Sequence, residues 1–441
     1  MYKNALAVAW PAMAESFFIV LAGMIDTMMV AELGSYAVAA VGLTAQPKFI
    51  GLTLFIGMNV AVSALVAHRK GEERREDANE IVWTAILLTL ILCVVVTLIF
   101  FAFTPQLMVL AGSNEDTHEA AVIYFRIIMG GLFFNVITMV INAAQRGSGN
   151  TRLSMTTNLT SSIVNILFNY LLIEGHFGFP AWGIRGAAIA TVLGTVVAAA
   201  MAFFSLFRHS SYIQYSSMKE LGIRMKKGCI KAIWNLAGTT SLENIAMRVG
   251  FLATALIAAR LGTDEFAAHN IGMNVLGLGF SFGDGMQVAA IALAGEALGA
   301  GKKELAKAYG SICQIIGFGI SIVLALALFF GSEWFFGLYF NEQHIINMGM
   351  VISRWIMIIV ILQISQIVFT GCLRAAGDVR YTLLAALISV TGIRTLMTLL
   401  LVSVFHLGLT GVWLGILSDQ LSRFLLMSYR FRQGKWVNLK I

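Results

Sequence analysis

Apolar runs long enough to cross a bilayer recur from one end of this chain to the other, and no other feature limits its fold as much. A hydrocarbon core of about 30 Å takes about 20 mostly apolar residues as a helix. Twelve such runs can be marked, at roughly 5–32, 44–67, 83–109, 121–145, 153–174, 184–207, 232–260, 270–298, 308–332, 346–373, 380–405 and 409–430. Only helices and closed barrels satisfy their backbone inside lipid, and these continuous runs lack the alternation of a barrel strand. The expected fold is therefore an all-α polytopic membrane protein, with twelve transmembrane helices in two pseudo-symmetric six-helix lobes. Only 12% of residues are charged, half of what a soluble domain carries. No cleavable leader is expected, because the first run is long and holds acids where a leader would be apolar.

Where the charges fall sets the expected orientation. Lys3, the run Arg69–Arg75, Arg146 with Arg152, the stretch Arg208–Lys231, Lys302–Lys307, Arg374 with Arg380 and the tail Arg430–Lys440 fall on one side. The opposite connections carry Glu115, Asp116, Glu119, Asp264, Glu265 and Glu342, with Arg185 the main basic exception. Positive charge marks the cytoplasmic side, so both termini are expected there, in a plasma or inner membrane. The net charge of +7 is thus accounted for without nucleic acid. Three of the four cysteines lie in apolar runs and none form a close pair, so neither a disulfide framework nor a zinc site is indicated. No Gly-rich phosphate loop and no His-rich metal spacing is present in the sequence.

The chain repeats itself. An offset of 228 carries Glu15 onto Glu243, Leu33-Gly34 onto Leu261-Gly262, Arg146 onto Arg374, Gly149 onto Gly377 and Arg152 onto Arg380. At an offset of 225, Gly183 and Gly186 match Gly408 and Gly411. Six spans per copy is an even number, so both copies insert the same way up, and their pseudo-two-fold axis runs along the membrane normal. The basic stretch Arg208–Lys231 is the natural boundary, giving an N-terminal lobe over residues 1–218 and a C-terminal lobe over 219–441.

Charges inside the spans are the candidate functional groups, because a charge at mid-bilayer costs about 2.5–3.5 kcal/mol on insertion scales. Glu15 and Asp26 are eleven residues apart in the first run, about three helical turns, which sets both on one face roughly 16 Å apart. Pro11 removes a backbone hydrogen bond early in the same helix and should let it bend. Glu243 is the repeat mate of Glu15, and the two are expected at similar depth, facing a shared cleft. Asp284 lies in the Gly-rich run 280–287, which ends at Gln287. It can join Glu243 and Gln287 in a cation or substrate site, or it can pair with Arg248. Arg394 and Asp419 read as a pair that holds helices together. The 21 Met and 30 Phe must mostly face lipid or pack between helices, so none is assigned to substrate.

In order along the chain, these residues resemble the multidrug and toxic compound extrusion (MATE) family of exporters. The resemblance is carried by Pro11, Ile25-Asp26-Thr27, Leu33-Gly34, the stretch from Asn142 to Arg152, its counterpart from Gly371 to Asp378, and the run from Gly186 to Thr191. It covers essentially the whole chain. It implies two six-helix lobes in a V shape that export amphipathic, often cationic compounds in exchange for Na⁺ or H⁺ by alternating access. It also implies an N-lobe cation site of Asp26, Asn165, Asn169 and Thr191, where Asn169 stands in place of a frequent Asp. One branch of the family uses a Glu matching Glu243 and an Asp near Gln363.

The function expected is a cation-coupled multidrug efflux antiporter, with small organic molecules as substrates, no cofactor beyond the coupling ion, and a monomeric state. The nearest alternative is a lipid or lipid-linked saccharide flippase of related fold, which would favour a large cationic groove. An intramembrane enzyme would need a nucleophile–base pair or a metal cluster at bilayer depth, and the sequence offers none.

Overall fold

The computed structural model describes residues 1–208, 211–216, 225–337, 339 and 342–439. The helices run α1 (Tyr2–Ala31), α2 (Ser35–Gly71), α3 (Arg75–Ala102), the short α4 (Thr104–Leu110), α5 (Glu115–Gly130), α6 (Leu132–Gly147), α7 (Thr151–Leu172) and α8 (Ile184–Ser205). They continue as α9 (Lys227–Ala259), α10 (Thr263–Gly299), α11 (Lys303–Phe330), the short α12 (Ser332–Gly337), α13 (Gln343–Ala375), α14 (Val379–Val404) and α15 (Gly408–Gln433). Among the described residues there is no strand.

Among the described residues, nine helices are long and apolar enough to cross a membrane, and α5 with α6 makes a tenth span. The other two of the twelve are α7 and α15, of 22 and 26 residues. They have the length but are more polar. Asn165 and Asn169 lie on α7, and Asp419, Gln420 and Arg423 on α15.

The fourth span is broken where one straight helix was expected. α5 and α6 meet at an angle of 48°. The break falls at the pair Gly130-Gly131, where two residues without a β-carbon weaken the helix against bending. A β-carbon at Gly131 would sit 2.5 Å from a Val192 methyl, so the bend brings bare backbone against α8. α14 holds two π-helical stretches, Leu387–Arg394 and Leu400–Val404.

The chain falls into two compact units, residues 17–238 and residues 1–16 with 239–441. The divide expected between 218 and 219 lies outside the described residues, and the observed division differs from it by exchanging helix halves. The first part of α1 groups with the C-terminal helices, and the first part of α9 with the N-terminal ones. Packing explains the former. Ala5, Ala9 and Met13 lie in one cluster with Met286, Ala289, Ala290 and Ala297 of α10. A β-carbon on Gly285 would lie 2.5 Å from the Met13 Cα and N, so α10 meets the α1 backbone directly. Small residues permit such approach, which drives helix association in lipid.

Within residues 17–238, Val30, Ala37, Ala40, Phe55, Phe125, Met129, Ala187 and Ala188 form the core. The linker docks on the start of α3. Arg75 donates to the carbonyls of Ser211 (2.7 Å) and Tyr212 (2.9 Å), Asn79 accepts from the Gln214 backbone (2.8 Å), and Lys226 pairs with Glu80 at 2.7 Å.

In the other unit, the α9 residues Leu242, Ile245, Val249, Leu252 and Leu256 are exposed. Their spacing of three and four residues makes one exposed apolar stripe. Glu243, Ala246 and Thr254 are buried instead.

The repeat is visible in the backbone. Gly149 and Gly377 have φ of 85° and 76°, and Gly183 and Gly408 have 52° and 54°. These left-handed turns favour glycine, and each pair ends or starts a helix at matching places in the two halves.

Candidate functional site

In the unit of residues 17–238, three helices bring the expected N-lobe residues together. Asp26 lies near the end of α1 and accepts a hydrogen bond from Asn169 Nδ2 of α7 at 2.5 Å. Asn165, one turn earlier on α7, also hydrogen-bonds the Asp26 side chain. Its Nδ2 donates to Thr191 Oγ1 of α8 at 3.2 Å, and Thr191 donates to the Ala187 carbonyl at 3.0 Å. Residues 165 and 169 are one turn apart, so both amides leave the same face of α7. α8 comes close because Gly186 and Gly194 meet the α7 backbone at the Leu172 and Ser161 carbonyls. Asn169 is fully buried, and among the described residues its Oδ1 has no hydrogen-bond partner. The set offers a carboxylate, amide carbonyls and a hydroxyl, the oxygen donors that hard cations take.

Two neighbours of this set were not singled out in the sequence. Lys48 of α2 lies close enough to Asp26 for direct electrostatic interaction. It lines a cavity of about 40 Å³ together with Gly131, Asn135, Thr191, Val192 and Thr195. Tyr124 of α5 is buried, hydrogen-bonds Thr191 and also feels the Asp26 charge. The signal for Lys48 was present, a charged residue early in the second apolar run. Tyr124 carried no signal, being one aromatic among many.

In the other unit, Glu243, Asp284 and Gln287 gather around Arg374. Arg374 Nη2 lies 3.0 Å from Glu243 Oε1, and Arg374 Nη1 donates to Gln287 Oε1 at 3.2 Å. The second Glu243 oxygen accepts from Thr382 Oγ1 at 2.8 Å. Asp284 reaches Arg374 electrostatically, and its side chain is accessible although protein encloses it at longer range. Arg374 was expected in a connection that marks the cytoplasmic side. It lies in the last turn of α13 and is buried. Glu243 is thus held by a guanidinium and a hydroxyl, which makes it an anchored group. Glu15 is buried and falls in the same compact unit as Glu243. The expectation of two mates contributed by separate lobes is corrected by the packing of Met13 on Gly285. Pro11 is buried inside a continuous α1. Gln363 is buried, and among the described residues neither of its amide atoms has a partner.

Arg394 and Asp419 do pair, at 3.5 Å, and Arg423 joins them with two contacts of 3.1 Å to the Asp419 oxygens. Arg394 also donates from Nε to Thr254 Oγ1 at 3.0 Å and lies over the Phe251 ring. Thr254 is the mate of Asp26 at the 228 offset, and Arg394 is the mate of Asn169 at the 225 offset. The two halves therefore fill one equivalent place differently: with an acid and an amide in the first, and with a hydroxyl and a guanidinium in the second. Among the described residues, no group of three or more His, Cys, Asp or Glu could hold a metal ion.

The MatE family model matches this chain twice, over residues 11–171 and 240–400. The chain belongs to the MatE family. The two matches start 229 residues apart (240 − 11), one residue from the offset read in the sequence. A probable multidrug resistance protein NorM of Thermotoga maritima is 26% identical over 98% of this chain and 93% of its own length. Another of the same description, from Burkholderia pseudomallei, is 28% identical over 92% of this chain and 87% of its own length. An outward-facing MATE transporter structure superposes with a TM-score of 0.91 at 23% identity, over 98% of this chain and 96% of that one. The fold is thus that of the MATE transporters, and this MatE protein is a multi-pass membrane transporter and not an enzyme.

Proposed function

We propose that this chain is a multidrug efflux antiporter that exports amphipathic organic cations by alternating access, in exchange for a cation taken up at Asp26. Small organic compounds as substrates are supported by the names of the NorM relatives. The observation that carries the coupling role is the Asp26 carboxylate inside a membrane helix, held by Asn165 and Asn169 beside Thr191. A carboxylate kept at that depth is costly unless it is used. A cation or proton bound there changes the charge the site presents, and a transporter can link that change to a change of conformation. Pro11 leaves one backbone hydrogen bond of α1 unmade, so occupancy of Asp26 can bias the bend of that helix. The basic connections favour cytoplasmic termini in a plasma or inner membrane.

The test is efflux of a fluorescent organic cation from proteoliposomes, with Na⁺ and pH gradients imposed separately. Gradient-driven efflux by the natural chain and its loss in Asp26→Asn are expected. Equal efflux by both proteins would remove Asp26 from the mechanism.

A further inference from the structure

We propose that Lys48 is a tethered counter-ion of Asp26 that weakens Na⁺ binding in the N-half site. The proposal rests on the coupling role of Asp26 only for its consequence in transport; the effect on Na⁺ binding stands on the site. Five observations carry it.

Lys48 lines the same small cavity as Thr191, which Asn165 ties to Asp26. Among the described residues, Lys48 makes no hydrogen bond or ion pair, and Asp26 is the charged group that acts on it. The ammonium is therefore not spent on another partner. Asn169 Oδ1, fully buried in the same site, has no donor among the described residues. An ammonium brings three donors and no acceptor, which is the chemistry this orphaned oxygen lacks. Finally, the equivalent place in the second half already holds a side-chain cation, Arg394, bonded to Thr254.

Charge counting gives the consequence. Asp26 and Lys48 sum to zero, and Asn165, Asn169, Thr191 and Tyr124 bring no formal charge. A metal ion entering the oxygen donors would leave the site with a net positive charge in a partly dehydrated cavity. At an effective dielectric of about 20, a like charge across such a cavity weakens cation binding by roughly tenfold to a hundredfold.

The experiment measures Na⁺ binding to the purified full-length protein in detergent, by radiolabelled Na⁺ or by calorimetry, with no substrate present. Lys48→Met and Lys48→Gln are expected to bind Na⁺ at least about tenfold more tightly than the natural chain. Lys48→Arg is expected to stay at the natural level, and adding Asp26→Asn to Lys48→Met should remove the gain. Asn169→Asp leaves Lys48 in place and adds a carboxylate, so it tests the same charge balance if the Lys48 variants fail to fold. It too should strengthen Na⁺ binding. Equal Na⁺ affinity in the natural chain and both neutral Lys48 variants, or no gain in Asn169→Asp, would overturn the proposal. Because transport is not measured, a chain that exports no organic cation would fail the proposed function and leave this result intact.

Discussion

Replacing Arg374 with Met tests whether Glu243 is an anchored group. The guanidinium lies 3.0 Å from Glu243 and 3.2 Å from Gln287, and it is the basic group that acts on Asp284. The ion pair is buried, with side chains 9% and 4% exposed. Methionine keeps the length of the stem and removes the charge. Breaking a buried pair from one side costs about 3–5 kcal/mol, because the remaining charge is left uncompensated. For a folding unit of 150–250 residues, each kcal/mol moves the melting temperature by about 2–4 °C. Arg374→Met should therefore lower it by roughly 6–20 °C, read by tryptophan fluorescence in detergent. Glu243→Gln in the same molecule removes the stranded carboxylate and should recover part of the loss, since contacting residues couple. A fall of less than about 2 °C in the single variant, or a double variant no more stable than Arg374→Met, would refute the anchoring.

Three other outcomes follow from the packing. Gly285→Val drives a side chain into the Met13 backbone, which its β-carbon would meet at 2.5 Å. Overpacking of this kind costs about 1–3 kcal/mol, measured as a lower melting temperature. Gly377→Ala forces alanine to a φ of 76° and should cost about 1–2 kcal/mol, with Gly149→Ala matching it as the repeat mate. Asp419→Asn strands Arg394 and Arg423 and should destabilise by about 3–5 kcal/mol. Adding Arg394→Met should restore part of that loss in thermal unfolding.

The helices were legible because lipid imposes a length and an apolar composition on each. Even α7 and α15, the least apolar, could be placed by the order of the others. The repeat was legible because its glycines mark backbone turns that both copies need, as Gly149 and Gly377 do. The bend at Gly130-Gly131 was not, since hydropathy sums a window and does not sense a missing β-carbon. The grouping of α1's first part with α10 was not either, since it depends on Gly285 meeting Met13, a contact between residues 272 positions apart (285 − 13). Asp26, Asn165, Asn169 and Thr191 were found through residue type and family resemblance, and the structure brings them together. Arg374 was passed over because basic residues near span ends read as topology markers, and Lys48 was not singled out. Only the folded chain reveals that both side chains act on acids.

Efflux from proteoliposomes under separate gradients tests the central claim most directly. The natural chain should expel an organic cation when a pH gradient is imposed, and Asp26→Asn should lose that dependence while still folding to a monodisperse protein. Efflux by Asp26→Asn at the natural rate under both the pH and the Na⁺ gradient would contradict the account.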